Sequence, residues 1–378
     1  MNKQILAPIP LQGRIDVFDF LRSLMIFFVI VLHVSMTYML DCPPWWYVIS
    51  NKTSPVFIFI VNLLDIFMMP VLFFISGYFT PASYIKKGTN GFLKDKMKHI
   101  LLPWILGILV IIPLYPFFLG KSTNDMMGLL KENPFYLFNS QGYLWYLGIL
   151  FLFLLAYTLY ARFIPPSSTR TTISNQRNSL FLLACIVLSV ICASLSTTFI
   201  TSFDNWYYFA YVFNLKPAKI ITYLSLFILG VYAWQTKWFV RDGWMPSISL
   251  WRILAIGTVT CYLVLRLLIL PNYDFPGLDK LIPVFDAVCS YTTLLYLLLI
   301  GMKFQASRVS GWLVNISPYS YGIYWIHMPL TILYLQLINE LNVPIFIKWL
   351  SGIFVTCFLS WLISKYILKK LPLLREMF

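Results

Sequence analysis

Asp19-Phe-Leu-Arg22-Ser-Leu-Met-Ile-Phe-Phe-Val-Ile-Val-Leu-His33 opens the first long apolar segment of the chain and sets three ionisable groups in or beside it. Such groups are costly in an apolar run and mark function more often than accident. Arg22 and His33 are 11 residues apart. At about 100° per residue they fall within roughly 20° of each other, so a helix carries both on one face. At 1.5 Å per residue they stand about 16 Å apart along its axis, one near a membrane surface and one well into the bilayer. Asp19 precedes Arg22 by one turn, in the favourable acid-then-base order.

The composition around this segment is that of a membrane protein. Of 378 residues, 60% are hydrophobic and 18% aromatic, only 11% are charged, and the mean hydropathy is +0.77. A water-soluble domain carries about 25% charged residues. The formal net charge of +14 comes from basic residues scattered through short loops, with no helix-turn-helix, zinc-finger or basic-arm pattern, which argues against nucleic acid as a partner. Cys185, Cys192, Cys261, Cys289 and Cys357 lie in apolar runs and Cys42 is alone in a loop, which reads as small hydrophobes rather than a disulfide framework. The polar lead 1–18 runs into the first apolar segment with no small-x-small cleavage site, so it is expected to remain as a signal anchor.

Apolar runs of spanning length lie at about 20–40, 55–80, 100–119, 143–161, 179–200, 218–235, 250–270, 282–302, 315–338 and 344–367. The expected fold is therefore an all-α polytopic integral membrane protein of about ten transmembrane helices, a single unit over 1–378 with no appended soluble domain. Grouping alternate loops places nineteen basic residues on one side and seven on the other. By the positive-inside rule both termini are expected to be cytoplasmic, with Arg22 near the inner surface and His33 in the outer half.

His33 is the leading candidate for chemistry, because an imidazole can take and return a proton near neutral pH. The plainer reading is a buried histidine bonded to a carbonyl. Arg22 suits an anion arriving from the cytoplasm, or else it snorkels and pairs with Asp19. Asp65 and Asn62 fall mid-span at about the depth of His33. Asp65 reads equally as an orienter of His33 or as part of a polar network without catalytic role. The basic connector Lys86–His99 reads first as an interfacial helix on anionic lipid, with Lys96 and His99 as alternative contacts for donor phosphates. Arg266 and Asp286, toward the outer ends of neighbouring spans, are expected to pair. Three dispersed histidines have no usual metal-ligand spacing, and no serine-hydrolase elbow, phosphate loop or dinucleotide fingerprint is present.

The motifs Asp19-Phe-Leu-Arg22 with His33 after ten further residues, Phe73-Phe-Ile-Ser-Gly-Tyr-Phe79 and Tyr321-Gly-Ile-Tyr-Trp-Ile-His-Met-Pro329 resemble, in order and spacing, those of the membrane acyltransferase-3 family. Leu144-Trp-Tyr-Leu147, Phe304-Gln-Ala-Ser-Arg308 and Leu371-Pro-Leu-Leu-Arg375 look most like its glucans biosynthesis protein C branch, whose members are implicated in succinylating periplasmic glucans. Where the family usually has an Arg-x-x-Arg pair before the third span, this chain has Lys96 and His99, and lysine keeps charge without the bidentate fork.

The resemblance implies an O-acyltransferase of the bacterial inner membrane. It would move an acetyl- or succinyl-type group from cytoplasmic acyl-CoA to a hydroxyl of an extracytoplasmic glycan, with no permanently bound cofactor and with membrane lipids as neighbours. His33, Arg22 and Asp19 would form its catalytic set, to which the depth argument, and no motif, adds Asp65. Arg22, Lys96, His99 and Ser76 would face the donor, and Asn62, Trp145, Tyr324 and His327 the acceptor. The rival reading is a proton-coupled secondary transporter of a polar lipid or organic anion, in which His33 and Asp65 relay protons.

Overall fold

The computed structural model describes residues 16–43, 46–119, 128, 131–133, 135–167, 169–240, 243–273, 277–304 and 308–378, without the side chains of 308–310 and 373. The expected signal anchor, apart from 16–18, and most of the Phe304–Arg308 motif lie outside the described residues.

The first apolar segment forms α1, Asp16–Met36, with Asp16 and Asp19 in its first turn, where carboxylates complement the helix dipole. Five neighbours enclose it: α2 (Pro55–Asp65), α3 (Met68–Lys96), and the helices α10 (Leu281–Phe304), α11 (Arg308–Ile338) and α12 (Ile345–Ile363) from the C-terminal half. Val17, Phe18, Leu21, Met25 and Val34 are fully buried there. The remaining long helices are α6 (Trp145–Phe163), α7 (Asn175–Phe199), α8 (Pro217–Gln235) and α9 (Ile248–Val264), with short α4 (Leu102–Leu106) and α5 (Leu114–Phe118) between α3 and α6. On α7 the exposed side is Leu180, Leu183, Val187, Leu188, Ile191 and Leu195, an apolar stripe at helical spacing that points outward. Water would not tolerate that face, and lipid does.

Among the described residues, eight helical runs are long and apolar enough to cross a membrane. One of them, Pro55–Phe118, has 64 residues. Unbroken, it would reach about 96 Å, roughly three times the hydrocarbon thickness. It is interrupted. The expected second span divides at Ile66–Phe67 into α2 and α3, and Gly88, at φ 65° and ψ 173°, bends the chain at the far end of α3. The region expected as the third span contains two π-helical turns, Met97–Leu101 and Gly107–Ile111.

The expectation of an all-helical chain needs one correction. Strands β1 (Tyr207–Phe209) and β2 (Phe213–Leu215) pair antiparallel, Tyr207 opposite Leu215, around Ala210 and Tyr211 in the left-handed region. The hairpin docks on the turn before α6: Trp104 stacks on Phe213 at 5.2 Å, and Gln141 Nε2 donates to Val212 O at 2.8 Å.

The closest helix contact is that of α3 with α8. A Cβ placed on Gly77 would lie 2.0 Å from Phe227 O, and one on Gly230 would lie 2.2 Å from Phe74 O. Backbones meet at this crossing, the use that membrane helices make of small residues. The glycine of the Phe73–Phe79 motif is therefore a packing requirement, and it leaves Ser76 one residue away on the inner wall of the bundle.

Candidate active site

Tyr321, Tyr324, Trp325, His327 and Pro329 of the α11 motif are explained by what they touch. Pro329 has no N–H, so Trp325 O loses its helical donor, and Tyr143 OH donates to that carbonyl instead. Pro103 does the same to His99 O, which accepts from Tyr321 OH at 2.8 Å. Tyr324 OH donates to Tyr143 O, and Trp325 Nε1 donates to Pro103 O at 2.8 Å. Two prolines thus leave carbonyls that tyrosines satisfy, and the result locks α11 to the connector and to the 3-10 turn Gly142–Leu144.

His327, fully buried, lies at the centre of this frame. Its Nδ1 is 2.7 Å from Tyr324 O and its Nε2 is 3.1 Å from His33 Nδ1. A carbonyl only accepts, so His327 Nδ1 carries the hydrogen. In the neutral pair His327 Nε2 is then an acceptor, His33 Nδ1 donates to it, and His33 Nε2 keeps its lone pair. The network assigns the tautomer and leaves His33 Nε2 as the basic nitrogen. The ring is held on two more sides, by Trp46 stacked parallel to it (5.7 Å between centroids, 2° between planes) and by the edge of Tyr143 at 6.4 Å. Trp46 is itself anchored by Nε1 to Thr37 Oγ1 at 2.9 Å. His33 is only half-buried, which leaves it accessible to a reactant.

At the other end of the same face Arg22 Nη1 meets Asp19 Oδ1 at 3.0 Å, and Ser317 Oγ donates to that oxygen at 2.8 Å. On α3, Ser76 Oγ is 3.2 Å from Tyr146 OH. Tyr321, one turn along α11 from Ser317, ties α11 to the connector. The connector cations are engaged: Asp95 lies 2.7 Å from Lys87, 3.2 Å from Lys96 and 3.2 Å from His99. A phosphate at Lys96 or His99 would have to displace Asp95.

One of the two readings of Asp65 and the expected Arg266–Asp286 pairing are replaced. Asp65 does not orient His33 by a hydrogen bond, for its Oδ2 is 2.8 Å from Lys219 Nζ, and His327 takes the orienting place. Arg266 does not pair with Asp286. It meets Asp204 and, through Nε, Asn62 Oδ1 at 3.2 Å, while Asp286 lies 3.0 Å from Lys219. Both changes follow from Lys219, which is 2% exposed on the first turn of α8 and draws two carboxylates to itself. Pro217 marks a helix start two residues earlier, so Lys219 lies within a span, where an ionisable group demands partners. Tyr143, Tyr146 and Trp46 were also missed, since aromatic residues are too common in this chain to stand out. Trp145, on the turn that carries Tyr143, lies 5.6 Å from Tyr223 and 5.5 Å from Trp206.

Fold and site together define a multi-pass helical membrane protein in which His33, hydrogen-bonded to His327, and Arg22, paired with Asp19, share one face of the first helix. Residues 15–365 match the acyltransferase-3 family model, described as an acyltransferase domain. The chain belongs to that family and is an acyltransferase. Neither a search of curated proteins nor one of solved structures found a match.

Proposed function

We propose that the protein is an O-acyltransferase of the bacterial inner membrane that takes an acetyl- or succinyl-type group from cytoplasmic acyl-CoA and delivers it to a hydroxyl of an extracytoplasmic glycan. Ten crossings with both termini cytoplasmic, the topology expected from hydropathy and loop charge, would give this reading its direction, and the likeness to the glucans biosynthesis protein C branch points to a periplasmic glucan as acceptor. The observation that carries it is the pair His33–His327, 3.1 Å apart, in line on α1 with Arg22. The bilayer separates donor and acceptor, and a transferase working across it needs one recognition end on each side.

His33 Nε2 takes the proton of the acceptor hydroxyl as that oxygen attacks the thioester carbonyl. The C–S bond then breaks, the electron pair leaves with the CoA sulfur, and the imidazolium returns its proton to that sulfur. While His33 is charged, its Nδ1–H···Nε2 bond to His327 becomes charge-assisted and stabilises it, the service a carboxylate performs in a serine-protease triad. Arg22 uses one of its five N–H donors on Asp19, and its planar fork suits a CoA phosphate. The break between α2 and α3 is of the kind transporters use, but family membership assigns this fold to acyl transfer.

The test uses membranes containing the protein, acetyl-CoA or succinyl-CoA, and extracted envelope glucan, with thiol release and glycan mass measured together. His33→Ala is expected to abolish both the thiol release that depends on glucan and the added mass. Full transfer by a normally expressed and folded His33→Ala variant refutes the assignment.

A further inference from the structure

The second charged cluster, which the mechanism above does not use, lies where α2 breaks. Ser290 Oγ donates to Ile66 O at 3.1 Å, satisfying a carbonyl released by the break. Lys219 joins Asp65 and Asp286 there. Lys219 and Asp286 are buried, at 2% and 5% side-chain exposure, whereas Asp65 is 41% exposed, so the triad is open at one end. Around that opening stand Asn62, one turn back on α2, and Arg266, which bonds Asn62 and Asp204. Lys216 Nζ sits 5.3 Å over the ring of Trp206, and Trp206 meets Trp145 edge-on at 5.5 Å. Both indoles are half-buried.

The charges decide what such a surface can hold. Three cations, Lys216, Lys219 and Arg266, face three carboxylates, Asp65, Asp204 and Asp286. Cations and carboxylates are equal in number, so neither an anionic ligand nor a metal ion meets a net opposite charge there. What is offered outward is the Asp65 carboxylate, 41% exposed with Oδ2 held by Lys219, and, on the Lys216 side of the cluster, two half-buried indoles. Vicinal hydroxyls donate to such a carboxylate, and the C–H faces of a pyranose pack on indole. The cluster also adjoins His33, since Trp145 begins α6 directly after the turn whose Tyr143 packs edge-on against the His33 ring at 6.4 Å.

We infer that Asp65, Asn62, Arg266, Trp145 and Trp206 form the acceptor subsite for a neutral, polyhydroxylated glycan, with Lys219 as the buried strut that aims Asp65. The inference rests on the acyltransfer reading above and changes the part played by Asp65 from orienting the base to binding the acceptor.

The experiment is a steady-state comparison in membranes, with acyl-CoA as donor and two acceptors: a neutral glucose oligosaccharide and the same oligosaccharide bearing a uronic acid. Intrinsic tryptophan fluorescence of the purified protein titrated with the neutral oligosaccharide supplies a readout independent of turnover. Trp206→Ala and Asp65→Asn are expected to raise the acceptor KM about tenfold while kcat at saturating acceptor changes less than threefold, Trp206→Tyr is expected to restore most of the loss, and kcat/KM is expected to favour the neutral acceptor at least tenfold. An unchanged acceptor KM in Trp206→Ala, a fall confined to kcat in Asp65→Asn, or preference for the charged acceptor overturns the subsite and leaves acyl transfer standing. Absence of transfer by the wild-type protein to either acceptor, with no fluorescence response, overturns both.

Discussion

Replacing His327 by alanine removes two hydrogen bonds at once: Nδ1–H to Tyr324 O at 2.7 Å, and the acceptor for His33 Nδ1–H at 3.1 Å. The first concerns stability. The second concerns rate, because it strengthens only when His33 becomes an imidazolium. A hydrogen bond to a charged group contributes about 1.5–3 kcal/mol. At about 1.4 kcal/mol per factor of ten, its loss lowers kcat roughly 10- to 150-fold. The donor KM should hardly move, because Arg22 lies about 16 Å away along α1. Glutamine separates orientation from bulk, since its Oε1 can accept from His33 Nδ1–H. The assay is thiol release from acyl-CoA in membranes with acceptor present, each variant matched for expression and for elution as a monodisperse protein in detergent. The expected order of kcat is wild type, His327→Gln, His327→Ala, with His33→Ala below all. An undiminished rate in His327→Ala, or equal losses in the glutamine and alanine variants, refutes the orienting role.

The α3–α8 crossing makes a prediction about stability. Gly230→Ala puts a methyl group 2.2 Å from Phe74 O, so the helices must part, at about 1–3 kcal/mol for an overpacked contact. A lower thermal midpoint of the detergent-solubilised protein is expected, and an unchanged midpoint would show that the crossing is looser than described. Cys42 makes a prediction about pH. Burial pushes its thiol up to about 11, and only the thiolate is nucleophilic. With the other five cysteines replaced, alkylation should be slow at pH 7.5 and climb roughly tenfold per pH unit toward about 11. A plateau near pH 8.5 would contradict the burial.

A lipid solvent explains why so much of this protein was readable in one dimension. Without water to hydrate the backbone, apolar runs of about 20 residues become helices, and the placement of most spans follows from hydropathy. The juxtaposition of Asp19, Arg22 and His33 on one helix face was equally legible, because 3.6-residue periodicity is a local property. The Asp19–Arg22 ion pair lies one turn apart, and the structure contains it.

What the chain order left open is which helices meet. His33 and His327 are 294 residues apart in sequence, and their hydrogen bond exists only because α1 and α11 pack together. Lys219 shows the same limit: nothing local says that its partners are Asp65 and Asp286, 154 and 67 residues away, so Asp65 reads equally as an orienter of His33 or a member of a polar network, and Arg266 reads toward Asp286. The break at Ile66–Phe67 was hidden because both halves are apolar. The sequence by itself determined a helical membrane protein with an arginine and a histidine on one face of its first helix, since hydropathy and helical period act over a few turns. Tertiary structure alone decided that a second histidine orients the first and that a lysine holds the aspartate, since charges buried in lipid are satisfied by whichever partner the packing brings within about 3 Å.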